Sequence, residues 1–382
     1  MKKHTKHTAL VKPLGGSYHL TELGFIGAPC SIIQQLCLNI SIGLEEKLKL
    51  GYMDADHKPS SAPLVYHATY TDKIKYNQVN NNDNHTEYSL RAHFNTCDAL
   101  LINANHFNAN QQIVIINAKK KESLSRKLDR LTNLKAIILD EGVDSPFDFV
   151  IDHLTKQKGV DYKNIPQFSI LNKNKIVEFI LNTIQTVKPE LKGLLLYGGK
   201  STRMGKDKGK IAYHGMPQVQ YLSRLLSDLC SDTYVSVLDL RPELPNANQI
   251  EDTFKGLGPF GGIVSAFRKN PNCAYLTLPC DVPFIDKTLI QLLIRERDSS
   301  KMATCFHNPD TDFPEPLITI WEPRAYPQLL HFLSLGYSCP RKVLINSDIK
   351  QINPPHHLSL YNANTPEELA FAKAQISHLN EK

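Results

Sequence analysis

The stretch from Leu194 to Lys210, LLLYGGKSTRMGKDKGK, limits the possible fold of this chain more than any other. It begins with an apolar run typical of a buried parallel strand, and apolar residues at helical spacing follow from Met216 to Cys230. Two adjacent glycines, Gly198 and Gly199, and five cations stand between them. A glycine-rich, basic turn between a buried strand and a helix is a frequent binding place for nucleotide phosphates. The stretch therefore predicts an α/β nucleotide-binding domain.

The side chains of this loop suit a triphosphate. Gly198 and Gly199 carry no Cβ, so backbone N–H groups can approach an anion closely. Hydroxyl donors and cations follow in the order Ser201, Thr202, Arg203, Lys206, Lys208 and Lys210. A solvated basic loop is the alternative, since a run of charge alone is usually surface.

Length and composition exclude several classes of protein. A chain of 382 residues is too long for one ordinary core and favours two domains. No run approaches the roughly 18 to 20 apolar residues of a membrane span, and the opening residues lack the apolar segment of a signal peptide. The eight scattered cysteines predict buried, reduced thiols. A net charge of +6 is too small to indicate nucleic acid. We therefore expect a cytoplasmic protein with neither a membrane nor a nucleic-acid partner.

The chain divides near Lys173–Pro189, where a helical segment ends at a proline and a new strand begins. This predicts two α/β domains, one over 1–188 and one over 189–382. In the first half, strand-like runs at ELGFIGAP, DALLINAN, QQIVIINA and LKAIILDE alternate with helices and predict a parallel sheet. The polar stretch YNQVNNNDNHTEY predicts a loop.

Three further segments of the second half carry functional side chains. Asp281 ends the buried strand AYLTLPCD, which places a carboxylate at the edge where ligands of open α/β sheets bind. Its alternative role is a turn residue or the N-cap of the next helix. GLGPFGGI supplies a loop around Gly258, or a tight turn with a helix starting at Gly261. In NANTPEELAFAKA, Thr365 and Glu368 form a capping box, which leaves Asn364 to contact metal or phosphate, or to stabilise a turn.

Taken together, LYGGKSTRMGKDK, GPFGGIVSAF, LTLPCDVPFI, EPLITIW and YNANTPEELAFAKA resemble the molybdenum cofactor guanylyltransferase family. This family belongs to the glycosyltransferase-A-like nucleotidyltransferases, which have a Rossmann-like α/β fold. The resemblance covers roughly residues 190 to 380, and the segments stand in the family's order. Tyr197 departs from the signature, in which alanine is usual.

The resemblance implies transfer of GMP from GTP to molybdopterin with Mg²⁺, and partners that include molybdenum insertion proteins or apo-molybdoenzymes. It implies catalytic roles for Arg203, Lys208 and Asp281, and metal contacts for Asp281 and Asn364. The nucleotide-binding residues that it implies are Leu196, Gly198, Gly199, Ser201, Lys208, Asp252, Gly258 and Asp281.

Two departures from the family pattern leave the identities of the nucleotide base and of the acceptor open. The segments VSVLDLRPEL and DFPEPL stand where many family members have an Asn-rich segment and a His-Pro pair. A cytidylyltransferase acting on molybdopterin or a sugar phosphate is one alternative. A non-catalytic carrier or chaperone of the molybdenum cofactor is another, although Arg203, Lys208 and Asp281 together favour catalysis.

The first half faintly resembles the GTP-binding adaptor domain of the same pathway. ELGFIGAPCSIIQQL has the strand, glycine and helix order of a P-loop. A P-loop beginning at Gly27 would require glycine, lysine and a hydroxyl residue at Ile32, Ile33 and Gln34. We therefore predict a degenerate P-loop-like domain, with an unrelated α/β domain as the alternative.

Overall fold

A computed structural model describes residues 18–55, 68–72, 77–81, 87–197, 208–244 and 247–380. The chain consists of two compact units, Met1–Val187 and Lys188–Lys382. Each unit is a sheet flanked by helices, so the predicted α/β fold class is confirmed for both halves.

The first unit is built on a six-stranded parallel sheet. Its elements are β1 Glu22–Ile26, α1 Cys30–Leu44, β2 Leu50–Met53, β3 Ala68–Asp72, β4 Asn77–Asn81, α2 Glu87–His93, β5 Ala99–Asn103, β6 Gln111–Ile116, α3 Lys121–Ser125, β7 Leu134–Leu139, α4 Asp148–Asp152, β8 Gln167–Ser169 and α5 Lys173–Thr186. The strand order is β2-β5-β1-β6-β7-β8, and β3 pairs with β4 in a separate antiparallel hairpin. The four predicted strands are confirmed, but β4 lies inside the predicted loop. Its sequence, NQVNN, is polar because a hairpin outside the main sheet need not bury an apolar face.

The turn after β1 and the start of α1 show why the P-loop residues are absent. Gly27 has φ of +98°, which favours glycine, and α1 begins three residues later at Cys30. Ile33, at the position of the P-loop lysine, is fully buried in a core formed by α1, α5 and the sheet. A lysine at position 33 would bury an unpaired charge. Ile33 therefore packs in the core at the position where a P-loop lysine contacts phosphate.

The second unit is built on a seven-stranded mixed sheet. Its elements are β9 Leu191–Leu196, α6 Gln218–Leu229, β10 Thr233–Val237, β11 Asn248–Glu251, α7 Pro259–Lys269, β12 Ala274–Pro279, α8 Lys287–Arg295, β13 Ala303–Asn308, β14 Phe313–Trp321, α9 Ala325–Ser334, α10 Pro340–Ile345, β15 Ile349–Ile352 and α11 Pro366–Asn380. The strand order is β11-β10-β9-β12-β14-β13-β15. β9 to β12 are mutually parallel, whereas β14 runs antiparallel to both β12 and β13.

Helices cover both faces of this sheet. Leu195 faces a core with α6 and α8, and its neighbours Leu194 and Leu196 face a second core with α7, α9 and α10. This alternation follows from the two-residue period of a strand. A strand buried on both faces therefore appears in the sequence as a continuous apolar run, here Leu194 to Leu196.

Two details of the second unit differ from the expectations. α7 begins at Pro259 with Gly258 as its N-cap, so Gly261 lies within the helix instead of starting it. A Cβ on Gly261 would lie 2.4 Å from the Phe254 carbonyl oxygen, and one on Gly262 would lie 2.4 Å from Ser236 Oγ. Both glycines therefore allow close packing of α7, and neither belongs to a loop.

The cysteines only partly follow their prediction. None of the eight forms a disulfide. Cys37, Cys280 and Cys305 are buried, whereas Cys339 is exposed and the other four are half-buried. Among the described residues, no helix is both long enough and apolar enough to cross a bilayer.

Candidate active site

The carboxyl ends of four parallel strands meet at one edge of the second sheet. In the strand register, Leu196 at the end of β9 pairs with Ser236 of β10 and with Pro279 of β12, and Val237 pairs with Glu251 of β11. The chain also reverses its direction of winding between β9 and β12, because β10 and β11 lie on one side of β9 and β12 on the other. Such a switch point is where open α/β sheets bind ligands.

Three predicted residues meet at this edge. The Lys208 ammonium lies 2.8 Å from Asp281 Oδ2 and 2.7 Å from Asn364 Oδ1. The Lys208 and Asp281 side chains are about four-fifths buried, with 23% and 20% exposed. Partial burial strengthens this charge-assisted contact relative to one in bulk water.

The start of α11 positions Asn364. Thr365 Oγ1 accepts from the Glu368 N–H at 3.2 Å, and Glu368 Oε2 accepts from the Thr365 N–H at 2.9 Å, which is the predicted capping box. The same Glu368 oxygen accepts from the Asn364 N–H at 2.6 Å. The Ala363 N–H donates to the Asp281 carbonyl oxygen at 2.9 Å. The cap therefore sets the helix start and holds Asn364 beside Asp281.

Asp281 has one carboxylate oxygen available for a ligand. Its Oδ1 atom is buried and has no hydrogen-bond partner among the described residues. The alternative role as a helix cap falls to Asp286, whose side chain accepts from the Leu289 N–H at 2.7 Å. A buried acceptor without a partner is costly, so Oδ1 is suited to a cation.

The donor set at Asp281 fits Mg²⁺. Mg²⁺ typically binds one or two carboxylates together with substrate phosphates, and seldom has a cage made only of protein side chains. Asp281 supplies a carboxylate, and Asn364 supplies an amide oxygen. Within the described ranges, no group of three or more His, Cys, Asp and Glu side chains forms such a cage.

The other described nucleotide candidates lie farther along the same sheet edge. Leu196 ends β9, and Gly258 caps α7 with φ of +59°. Asp252 follows β11, is 6% exposed and accepts from Ser236 Oγ at 2.7 Å. Burial raises the pKa of Asp252, against an opposing effect of the Ser236 hydrogen bond. The remaining candidates, Gly198, Gly199, Ser201 and Arg203, lie outside the described residues.

Comparisons with known proteins identify a family that the second half of the chain resembles. The model of the MobA-like NTP transferase domain family matches residues 193–350. The molybdenum cofactor guanylyltransferase of Pseudomonas fluorescens (strain Pf0-1) is 32% identical over 196 residues, which cover 49% of this chain and 96% of that protein. The chain belongs to the molybdenum cofactor guanylyltransferase family. It is thus a nucleotidyltransferase, and the resemblance of its C-terminal half is confirmed.

Two further molybdenum cofactor proteins are similar to the chain. The molybdenum cofactor biosynthesis bifunctional protein of Synechocystis sp. (strain PCC 6803) is 33% identical over 212 residues, or 54% of this chain. The match spans 60% of the length of that relative. Among solved structures, molybdopterin-guanine dinucleotide biosynthesis protein A from Archaeoglobus fulgidus aligns with a TM-score of 0.43 and 21% identity. That alignment covers 49% of this chain and 99% of that structure.

Sequence reasoning did not identify three residues linked electrostatically to Asp281: Glu315 and Tyr213 directly, and Arg341 through Glu315. Burial raises the pKa of Glu315, and the negative charge of Asp281 contributes to the rise. Burial and the same charge raise the pKa of Tyr213 to about 12. Arg341, whose charge lowers the pKa of Glu315, has a buried Nε without a hydrogen-bond partner among the described residues. The motif EPLITIW contained Glu315, but only the antiparallel course of β14 brings it towards Asp281.

Proposed function

We propose that this chain transfers GMP from GTP to molybdenum-bearing molybdopterin, forming the guanine dinucleotide cofactor and releasing pyrophosphate. The contact of Lys208 with both Asp281 and Asn364 at the switch point of the sheet carries this proposal. It combines a cation for phosphate with a carboxylate whose Oδ1 has no hydrogen-bond partner among the described residues and is suited to a metal. The guanylyltransferase names of its relatives support guanine as the base.

Lys208 is the described cation best placed to act on phosphate. In the proposed reaction, an oxygen of the acceptor phosphate attacks the α-phosphorus of GTP, and pyrophosphate leaves with the bonding electron pair. The protein forms no covalent bond, so positioning and neutralisation of charge account for most of its effect. We assign neutralisation to Lys208 and Arg203.

Asp281 and Asn364 would hold Mg²⁺ together with the substrate phosphates. Bound there, Mg²⁺ would neutralise phosphate charge and orient phosphate oxygens. Lys208 contacts Asp281 Oδ2 and Asn364 Oδ1, the single side-chain oxygen of Asn364. Asp281 Oδ1 is therefore the first position for the ion, and Asn364 could join it only through the second lone pair of its own Oδ1.

The nucleotide and the acceptor would lie on opposite sides of this centre. On the β10 and β11 side, we assign nucleotide contacts to Leu196, Asp252 and Gly258. We also assign nucleotide contacts to Gly198, Gly199 and Ser201, which lie outside the described residues. A buried Asp252 carboxylate can accept from both the N1–H and the 2-amino group of guanine, a paired contact that cytosine cannot offer. On the β14 side, the Arg341 Nε–H, which has no partner in the part of the chain that the structure describes, can donate to an acceptor phosphate.

The first unit would then be an accessory domain. We propose the division into an accessory domain at 1–188 and a nucleotidyltransferase domain at 189–382. All described members of the site lie in the second unit. The first unit is therefore available for partners such as molybdenum insertion proteins or apo-molybdoenzymes.

A nucleotide panel tests the reaction. The purified chain is incubated with Mg²⁺, molybdopterin and GTP, CTP, ATP or UTP in turn, and the dinucleotide is identified by mass spectrometry. We expect product with GTP, with kcat/KM at least about 10²-fold above that with CTP. A higher value with CTP would replace guanylyl by cytidylyl transfer. Binding of molybdopterin without product from any nucleotide would indicate a carrier.

Replacing one carboxylate tests the site. We expect Asp281→Asn to lower kcat/KM by about 10²-fold or more, since it removes a charge at the reacting centre. Asp286→Asn is the matched control, because asparagine also caps helices and Asp286 caps α8. Equal activities in the two variants would remove Asp281 from the site.

A further inference from the structure

Tyr197 occupies a position that joins three segments of the site. It directly follows β9, and its side chain is 5% exposed in the core formed with α6 and α8. A tyrosine at this position has a large ring that packs against neighbouring segments. The ring meets one segment on each side.

On one side, the ring lies against the backbone of Gly209. A Cβ placed on Gly209 would lie 2.2 Å from Tyr197 Cε2 and 2.8 Å from Cδ2 and Cζ, so no larger residue fits while the ring stays. Gly209 is buried at the centre of the turn Lys208–Lys210. Its φ is not in the left-handed region, so the close ring gives a steric reason for glycine at this position.

The ring also contacts the loop that follows β10. The Arg241 guanidinium carbon lies 4.0 Å from the ring centroid, a cation–π distance. Glu243, in the same loop, lies 3.9 Å from both Arg241 Nη1 and Lys210 Nζ. The loop after β10 therefore contacts the Tyr197 ring through Arg241 and contacts Lys210, at the end of the Lys208–Lys210 turn, through Glu243.

We propose that Tyr197 is a positioning residue that holds the Lys208–Lys210 turn, and thereby holds the Lys208 ammonium against Asp281 and Asn364. Lys208 immediately precedes Gly209, so a shift of the turn moves the start of the Lys208 side chain. Contacts at 2.7 and 2.8 Å tolerate little displacement. The role of Lys208 in catalysis rests on the proposed function. The dependence of the Lys208 position on the Tyr197 ring does not.

The first test measures the coupling without activity. The full chain is treated with a limiting acylating reagent, and modification of each lysine is followed by mass spectrometry. Lys208 should be protected by its two contacts. Tyr197→Leu keeps apolar volume but loses the flat ring, so it should increase the labelling of Lys208 about threefold or more. Tyr197→Phe should restore protection.

Lys210 is the internal control, because it lies in the same turn with its side chain 60% exposed. Its labelling should stay nearly constant. Gly209→Ala tests the coupling from the other side, since its Cβ must displace the ring or the turn, and it should also expose Lys208. Unchanged Lys208 labelling in both Tyr197→Leu and Gly209→Ala would overturn the proposal.

The second test separates positioning from general stability. With GTP and molybdopterin, Tyr197→Leu should lower kcat/KM by about 10-fold, but by less than about 2-fold when Lys208 is already alanine. Its effect on the melting temperature should be the same in both backgrounds. Equal losses of activity in both backgrounds would show that Tyr197 does not act through Lys208. If the wild type formed no dinucleotide while Lys208 labelling changed as expected, only the proposed function would fail.

Discussion

At the scale of single residues, Asp252 shows how burial controls a charge. Burial raises the pKa of its carboxyl group above the ordinary value; the hydrogen bond from Ser236 and the charge of Lys255 oppose this rise, and Glu251 adds to it. Above a pH of about 3.9, Asp252 has lost its proton in the unfolded chain. In the folded protein it keeps that proton up to a higher pH. Ionisation of Asp252 consequently lowers stability as the pH rises through the raised pKa.

We expect Asp252→Asn to raise the melting temperature at pH 8 and to leave it nearly unchanged at pH 4. Asparagine cannot ionise, and its Oδ1 can still accept from Ser236. A change of about 1 kcal/mol shifts the melting temperature of a domain of 150 to 250 residues by roughly 2 to 4 °C, which scanning calorimetry resolves. Asp286→Asn, at an exposed position, should show no such rise. A gain for Asp252→Asn that is equal at both pH values would contradict this account.

At the scale of elements, the first turn of α11 connects helix capping to the active site. Glu368 accepts from the N–H groups of both Asn364 and Thr365, so the same carboxylate fixes the helix start and the Asn364 backbone. We expect Glu368→Ala to lower kcat/KM by about 10-fold through displacement of Asn364. The cost in stability should be only about 0.5 to 2 kcal/mol, as for loss of a helix cap. Steady-state kinetics and urea unfolding measure the two effects.

Two variants of the same helical turn distinguish this link from general helix electrostatics. Glu368→Gln keeps an acceptor oxygen and should restore most of the activity. Glu367→Ala removes a neighbouring first-turn charge, but Glu367 makes no hydrogen bond to the Asn364 N–H. If Glu367→Ala lost as much activity as Glu368→Ala, the helix dipole would account for the effect.

At the scale of the whole molecule, the two units differ in their chemistry. The second unit contains Lys208, Asp281 and Asn364, whereas the first has the buried Ile33 at the P-loop lysine position. We expect residues 188–382 alone to retain transfer activity with GTP. Residues 1–187 alone should hydrolyse neither GTP nor ATP, because both the phosphate-binding lysine and the magnesium-binding hydroxyl are missing. Phosphate release and dinucleotide formation measure the two activities separately.

Metal-dependent hydrolysis that follows residues 1–187 through purification would restore that unit as an NTPase. Loss of transfer activity from residues 188–382, with its melting transition intact, would assign part of the reaction to the first unit.

Features encoded in adjacent residues could be predicted from the sequence. Apolar runs identified the buried strands β1, β5, β6, β7 and β9, and helical spacing identified α6. The capping box of Thr365 and Glu368 needs only residues three positions apart. Each of these signals is local, because hydrogen bonding and burial within one element produce it.

The tertiary structure alone decided which of these residues meet. Asp281 and Asn364 lie 73 and 156 residues from Lys208 along the chain, and only the parallel alignment of β9 and β12 and the docking of α11 bring them together. The sequence likewise did not predict the contact of Tyr197 with Gly209, the approach of Glu315 to Asp281 or the direction of β14. A strand's periodicity shows which side chains are buried, but it carries no information about its neighbour or its direction. Those depend on packing between segments that are distant in sequence.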